Sequence, residues 1–127
     1  MSEPTWISLA TLHLLHDRQL ELFGGLRGIR DEGSVESALT RPVNAWLYEE
    51  AVEIEALAAT YLCALVRQQG YLDGNKRTAL AAMLVFLRLN GRRLAAPGPE
   101  LYALVMAAAT GAVGVEKVAE WLRTKVE

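Results

Sequence analysis

The sequence is short of several features that define whole classes of protein. Cys63 is the single cysteine of 127 residues, so no disulfide can form within the chain and a reducing compartment is expected. Thirteen basic side chains against fifteen acidic ones give a net charge of −2, which excludes the broad positive field of a DNA-binding protein. No basic start followed by an apolar core marks a signal peptide, and the apolar run Ala79 to Leu87 is too short to span a bilayer. We therefore expect a soluble, cytoplasmic protein that binds neither DNA nor membranes.

Patterns typical of strands are almost missing as well. Apolar residues recur at helical spacing along nearly the whole chain, and only "RRLAA", 92–96, is weakly extended in character. The segment "RPVNAWLYEE", 41–50, has no firm period, whereas "TALAAMLVFLRLNG", 78–91, is apolar nearly all round and is expected to be the buried central helix. The sequence thus predicts a compact all-α single domain over residues 1–127. Its predicted helices, about six in number, are Ser8–Phe23, Ser34–Pro42, Val52–Gln69, 78–91, Pro99–Gly111 and Val115–Val126.

The segment "QQGYLDGNKRT", 68–78, contains the candidate binding and catalytic residues. Lys76 and Arg77 lie where a helix is predicted to begin. The positive end of the helix dipole disfavours cations at that position, so two adjacent cations indicate that an anion is expected there. Gly74 lets the backbone turn so that its N–H groups converge on an anion, and Arg77 supplies a planar fork that grips phosphate. Asp73 offers a hard oxygen suited to Mg²⁺ that bridges phosphates. The pattern fits a nucleotide polyphosphate site, and it equally fits a plain turn capped by Asp73 or by the asparagine after Gly74, with both cations in solvent.

Residues Gln69 to Arg77 resemble the signature of the Fic/Doc family, His-x-Phe-x-Asp-Gly-Asn-Lys-Arg, in the form carried by death-on-curing (Doc) toxins. The resemblance extends to "FGGLRGIRDEGSVESALTRP", 23–42, to the helix before the motif, and to "FLRLNG", 86–91, so that nearly the whole chain is covered. It implies the compact helical Fic/Doc fold.

The resemblance also implies a reaction. Fic proteins that transfer adenylyl groups usually carry glycine where this chain has Lys76, and lysine there looks like Doc. A Doc-like protein is implied to be an ATP-dependent protein kinase that transfers the γ-phosphate to a hydroxyl of a translation elongation factor. By the same resemblance Asp73 would bind Mg²⁺, Gly74 and Asn75 would line the anion nest, and Lys76 and Arg77 would hold phosphates. Tyr71 takes the position of the phenylalanine that anchors the loop, and its hydroxyl would need a partner.

Gln69 is the departure from the family pattern. It occupies the position of the histidine that takes the proton from the attacking hydroxyl, and a neutral amide has no usable basicity near pH 7. Losing a general base commonly lowers the rate by about two to four orders of magnitude, although phosphoryl transfer relies chiefly on positioning and charge. The chain is either a natural slow or non-catalytic member or one that carries a His→Gln substitution made so that a toxic protein can be produced. We favour the second because every other motif residue is intact.

Three functions follow from these observations. The first is a Doc-like kinase toxin of a toxin–antitoxin module, weakened by Gln69, and the second is a catalytically silent module that binds nucleotide or antitoxin. The third, an adenylyltransferase of the wider Fic type, is disfavoured by Lys76. The inhibitory pattern Ser/Thr-x-x-x-Glu-Gly/Asn of many Fic proteins is absent, since Glu32-Gly33 is preceded four residues earlier by Gly28. We therefore expect an antitoxin that acts in trans through an amphipathic helical segment near the motif.

Some residues outside the motif also allow a functional interpretation. His13 and His16 lie on one helical face and could bind a metal with Asp17, but no third strong ligand is evident, and packing with a hydrogen bond is the favoured interpretation of His16. Trp6, Trp46 and Trp121 are interpreted as packing residues. Arg30 and Asp31 would border the target-docking cleft by resemblance, or else form a turn with a surface ion pair.

Overall fold

Six α-helices make up the computed structural model, which describes residues 2–49 and 53–127. Outside the helices, strand-like pairing within these ranges is limited to two isolated bridges, Ile29 with Tyr71 and Leu94 with Val126. The prediction of an all-α fold with about six helices is confirmed, and the weakly extended stretch "RRLAA" contains one of the two bridges. The helices are α1 Leu9–Phe23, α2 Glu32–Tyr48, α3 Ile54–Arg67, α4 Asn75–Leu89, α5 Gly98–Thr110 and α6 Val115–Lys125.

The predicted ends of the helix before the motif differ from the observed ones. Helix α3 begins at Ile54 and ends at Arg67, and the predicted start at Val52 lies outside the described residues. Gln68 already has an extended backbone, with φ −91° and ψ 157°, and so ends the helix two residues before the predicted last residue, Gln69. Both glutamines consequently belong to the loop that leads to α4.

Helix α2 is longer than predicted at both ends. Asp31, not Ser34, is its N-cap, because the Asp31 carboxylate accepts the Ser34 N–H at 3.3 Å. The helix then continues through Pro42, the predicted stop, to Tyr48, so the segment without a firm period is mostly helical. An internal proline removes one helical hydrogen bond and costs about 3 kcal/mol, which tertiary burial offsets here: Pro42 and Ala45 are buried.

A buried helix does lie at the centre of the fold, but it is α3 and not the predicted α4. Helix α3 packs against α2, α4, α5 and α6, and ten of its fourteen residues are buried. Helix α4 buries one face, with Met83 and Phe86 fully enclosed, while Leu80 and Leu84 on its other side are only partly covered. Helix α4 carries apolar residues on every face, yet not every face is buried. Part of the helix borders an open cleft.

The tryptophans are packing residues, as predicted. Trp6 meets Trp46 edge-on at 6.1 Å between ring centroids and stacks on Phe86 at 5.9 Å, and Trp121 packs on the same core from α6. Cys63 is buried in α3 with a free thiol. Among the described residues, none of the helices is both long and apolar enough to cross a bilayer.

Candidate functional site

The start of α4 is an open group of backbone donors. Gly74 precedes the helix in the left-handed conformation, with φ +79°, which glycine adopts without strain. The first helical bond runs from the Thr78 N–H to the Gly74 carbonyl at 2.9 Å, and no side chain caps the helix. Among the described residues, the N–H groups of Asn75, Lys76 and Arg77 have no hydrogen-bond acceptor, so they can bind an anion at the positive end of the helix dipole.

Two cations adjoin these donors and are held differently. Lys76 is exposed and forms no ion pair with the described residues. The Arg77 guanidinium donates from Nη2 to the Gly24 carbonyl at 3.1 Å and lies 5.7 Å from the centre of the Phe23 ring. These contacts hold the Arg77 fork beside the start of the helix, as a phosphate site requires.

Asp73 lies next to these cations as an ionised carboxylate. Its oxygens accept the N–H of Gly74 at 2.8 Å and the N–H of Leu26 at 3.1 Å. The Leu26 bond and then the Gly74 bond hold the pKa of this carboxyl below its ordinary value. No group of three or more His, Cys, Asp or Glu side chains in the described ranges is placed to hold a metal, so a metal here would take one protein carboxylate. That fits Mg²⁺, which keeps waters and uses substrate phosphates as further ligands.

A cavity of about 630 Å³ is lined by Gln69 and by the motif residues from Asp73 to Arg77. Gln69 lies at its edge with an exposed side chain. Helix α5 forms the opposite wall, so the cavity is a cleft with a cationic side and an apolar side. Its lining comprises Gln69, Leu72, Asp73, Gly74, Asn75, Lys76, Arg77 and Leu80 on one side and Gly98, Leu101, Tyr102, Val105 and Met106 on the other.

Comparisons with known proteins give the family of the chain. The sequence profile of the Fic/DOC family matches residues 6–87, which is more than half of the chain. The chain belongs to the Fic/Doc family. It is 42% identical over 117 residues to the protein kinase doc of Escherichia phage P1, with 92% of each chain covered. It is also 42% identical over 76 residues to the toxin Doc of Mycolicibacterium smegmatis, with 58% of each chain covered.

Tyr71, at the position of the Fic/Doc phenylalanine, has the hydroxyl partner that the sequence required. The ring is fully buried, its hydroxyl is hydrogen-bonded to His13 Nδ1 at 2.8 Å, and His16 stacks on it at 3.7 Å between ring centroids. His16 Nε2 in turn donates to the Asp73 carbonyl at 2.8 Å. The favoured interpretation of His16 as a packed, hydrogen-bonded residue is confirmed. Both histidines therefore contact the motif loop through their side chains.

Asn75 contributes to the Fic/Doc loop mainly through a buried side chain. Its Oδ1 accepts the Tyr71 N–H at 3.1 Å and its Nδ2 donates to the Tyr71 carbonyl at 2.9 Å. The side chain is therefore committed to the loop itself, and the free backbone N–H is what this residue offers to an anion.

Sequence reasoning did not find two parts of this Fic/Doc site. One is the α5 wall, where Tyr102 and Met106 form an i, i+4 strip beside the core-facing residues; that second apolar strip was the available signal. The other is the turn after α1, whose Gly24 carbonyl and Leu26 N–H hold Arg77 and Asp73. Nothing in the local sequence indicates those backbone contacts.

Arg30 and Asp31 connect this turn to the motif. Their N–H groups both donate to the Gly70 carbonyl, at 2.6 and 2.9 Å. The Asp31 side chain caps α2 and accepts the Ser34 hydroxyl at 2.7 Å, which lowers the pKa of its carboxyl. No ion pair between Arg30 and Asp31 is present in the described residues, so the turn is confirmed and the ion pair is not. That these residues border a target-docking cleft stays a prediction.

Replacing Gly70 with alanine is expected to destabilise the fold by about 1–3 kcal/mol, as overpacking does. An added Cβ would overlap Val35 Cγ2 and lie 2.5 Å from Gln68 Oε1 and 2.8 Å from the Asp31 carbonyl oxygen. Urea unfolding measures the effect. Gly114→Ala is the control for the added methyl group, because its Cβ would meet nothing within 4 Å; it changes only the N-cap residue of α6 and should cost less than about 1 kcal/mol. Equal stability of the two variants would show that the loop yields freely at Gly70.

Proposed function

We propose that this chain is the toxin of a toxin–antitoxin module and acts as an ATP-dependent protein kinase, in the cytoplasm, on a hydroxyl of a translation elongation factor. The observation that carries the proposal is the single cleft in which Gln69, the ionised Asp73 and the open, cationic start of α4 meet. The names of the two relatives, a protein kinase doc and a toxin Doc, support the same activity. Gln69 in place of the family histidine is proposed to weaken it.

Each residue of the cleft has a role in this proposal. The N–H groups at the start of α4, Lys76 and the Arg77 fork would bind the phosphates of ATP, and Asp73 would bind Mg²⁺, which neutralises phosphate charge when present. Gln69 could hydrogen-bond and orient the attacking hydroxyl, but its amide cannot accept the proton. That proton would pass to water or to the transferred phosphoryl group, so positioning and charge would supply the remaining catalysis.

A silent binding module is the second candidate, and Gln69 is the observation in its favour. The residues proposed to bind phosphate all line the cleft, while position 69 offers no basic side chain. Such a protein would retain nucleotide or antitoxin and act by occupancy. An adenylyltransferase is disfavoured by Lys76, which stands where those enzymes usually have glycine.

Labelled ATP separates the three candidates. The chain is incubated with Mg²⁺, a bacterial elongation factor and ATP labelled at either the α- or the γ-phosphate, under single-turnover conditions. Transfer of the γ-label alone supports the kinase, and transfer of the α-label supports the adenylyltransferase. Binding of ATP with neither label transferred, also after a histidine is placed at position 69, leaves the silent module.

We further propose that an antitoxin covers the cleft in trans. Phe23 at the end of α1, Leu26 in the turn that follows it and Leu72 in the motif loop are apolar and at least 43% exposed, and they lie near Arg77 and Asp73. An amphipathic helix could bury this surface. Co-expression with the product of the neighbouring gene should give a stable complex, and Leu26→Asp should weaken it. A partner without any helical segment near Arg77 would contradict the proposal.

A further inference from the structure

Two neighbouring glutamines in the motif loop have opposite orientations. Gln69 is exposed and lines the cleft, whereas Gln68 is part-buried on the other side of the loop. The backbone at Gln68 is extended, and successive side chains of extended backbone point to opposite faces. The direction of one glutamine therefore fixes the direction of the other.

The Gln68 amide makes three hydrogen bonds that tie the loop together. Its Oε1 accepts the Gly70 N–H at 2.5 Å. Its Nε2 donates to the Leu65 carbonyl at 3.1 Å and to Asn75 Oδ1 at 3.2 Å. One side chain thus joins the last turn of α3, the middle of the loop and the first residue of α4.

The absence of a side chain at Gly70 leaves space for the Gln68 amide. A Cβ at that position would lie 2.5 Å from Gln68 Oε1, so a larger residue there and the present Gln68 conformation exclude each other. Asn75, another hydrogen-bond partner of the Gln68 amide, also accepts the Tyr71 N–H through its Oδ1. Gln68 therefore contacts the residue that shapes the rest of the loop.

We infer that Gln68 is a positioning residue, whose amide holds position 69 toward the cleft and keeps the first N–H groups of α4 open to phosphate. The inference rests on the proposed function, because it concerns the same cleft. Gln68 touches neither the cleft nor a substrate itself, and acts through Gly70 and Asn75.

A thiol at position 69 makes the orientation measurable. Cys63 is buried, so Gln69→Cys gives the chain one accessible thiol, and a charged maleimide reports its labelling rate. ATP with Mg²⁺ should slow the labelling. Adding Gln68→Ala should raise the ATP concentration for half-protection roughly tenfold, the scale of about one to two lost net hydrogen bonds. Gln19→Ala, on α1 and with no side-chain hydrogen bond in the described residues, should leave it unchanged.

The outcomes separate a positioning role from a structural one. An unchanged half-protection concentration in Gln68→Ala overturns the inference, whether or not urea unfolding shows a less stable fold. If Gln68→Ala does not fold, Gln68→Glu serves instead, because it keeps the acceptor for the Gly70 N–H and removes both donors. It should keep the Gly70 amide protected from hydrogen exchange and still weaken protection by ATP, and normal protection by ATP overturns the inference.

Failure of the proposed function would look different. If ATP protects no variant, including the one with Gln68 intact, the nucleotide site is wrong. Gln68 is then tested by amide exchange alone: Gly70 should exchange roughly tenfold faster in Gln68→Ala than in Gln19→Ala, because its acceptor is lost. Equal exchange in the two variants overturns the inference on its own.

Discussion

Gln69→His is expected to raise the single-turnover rate of γ-phosphate transfer roughly a hundredfold or more, the scale of a recovered general base. Position 69 lines the cleft beside Asp73 and the start of α4, so the new imidazole would lie in the cleft. An imidazole is partly neutral near pH 7 and can accept the proton that the amide cannot. Growth arrest should appear with the same substitution in cells that lack the antitoxin.

Binding of ATP should hardly change in this variant, since the phosphate ligands are untouched. Gln69→Ala is the matched control, and its rate should not exceed that of the present chain, because alanine supplies no base and removes the amide that orients the hydroxyl. If the present chain and Gln69→His phosphorylate the elongation factor equally well, the base is not what limits the reaction, and positioning alone carries the chemistry. If neither reacts although both bind ATP, the silent module is the better account.

Arg77→Ala is expected to remove most of the rise in melting temperature that ATP with Mg²⁺ gives. A ligand that binds only the folded state stabilises it, and hydrogen bonds to a charged group are worth about 1.5–3 kcal/mol, so Kd should increase roughly ten- to a hundredfold. The guanidinium is already held by the Gly24 carbonyl and the Phe23 ring, so little ordering is needed when phosphate binds. Thermal unfolding at several ATP concentrations measures the change.

Arg88→Ala is the matched control for this prediction, because Arg88 is exposed in the last turn of the same helix. It removes the same charge from the opposite end of α4, away from the lining of the cleft. The ATP effect should survive in Arg88→Ala and be mostly lost in Arg77→Ala. The same loss in both variants would mean that ATP responds to overall charge, and an undiminished effect in both would move the phosphate site elsewhere.

Local sequence was enough to place the motif and its main backbone feature. Two adjacent cations after a glycine indicated an anion at a helix start, and the structure puts Gly74 in the left-handed conformation with Lys76 and Arg77 in the first turn. The required partner for the Tyr71 hydroxyl was also predictable, since a buried phenol needs one. The partner itself, His13, was not, because the two residues are 58 positions apart.

The errors come from tertiary contacts that override local patterns. Pro42 predicted the end of a helix, yet α2 extends past it because the burial of Pro42 and Ala45 stabilises the longer helix. The apolar residues on every face of α4 predicted that it is the central helix. One side of α4 instead borders the cleft, where Leu80 faces the wall formed by α5. The apolar wall of the cleft was missed for the same reason: the periodicity of α5 shows which face is buried, but it does not show what the remaining face borders.

The positions of the tryptophans determine what an optical experiment on this protein will report. Trp6 and Trp46 share one aromatic cluster with Phe86, Trp121 packs from α6, and none of the three lines the cleft. Intrinsic emission will therefore follow the unfolding of the core and stay largely silent when nucleotide binds. Tyr102, exposed on the α5 wall, is the position at which a single Tyr102→Trp replacement would give the cleft a fluorescent reporter of its own.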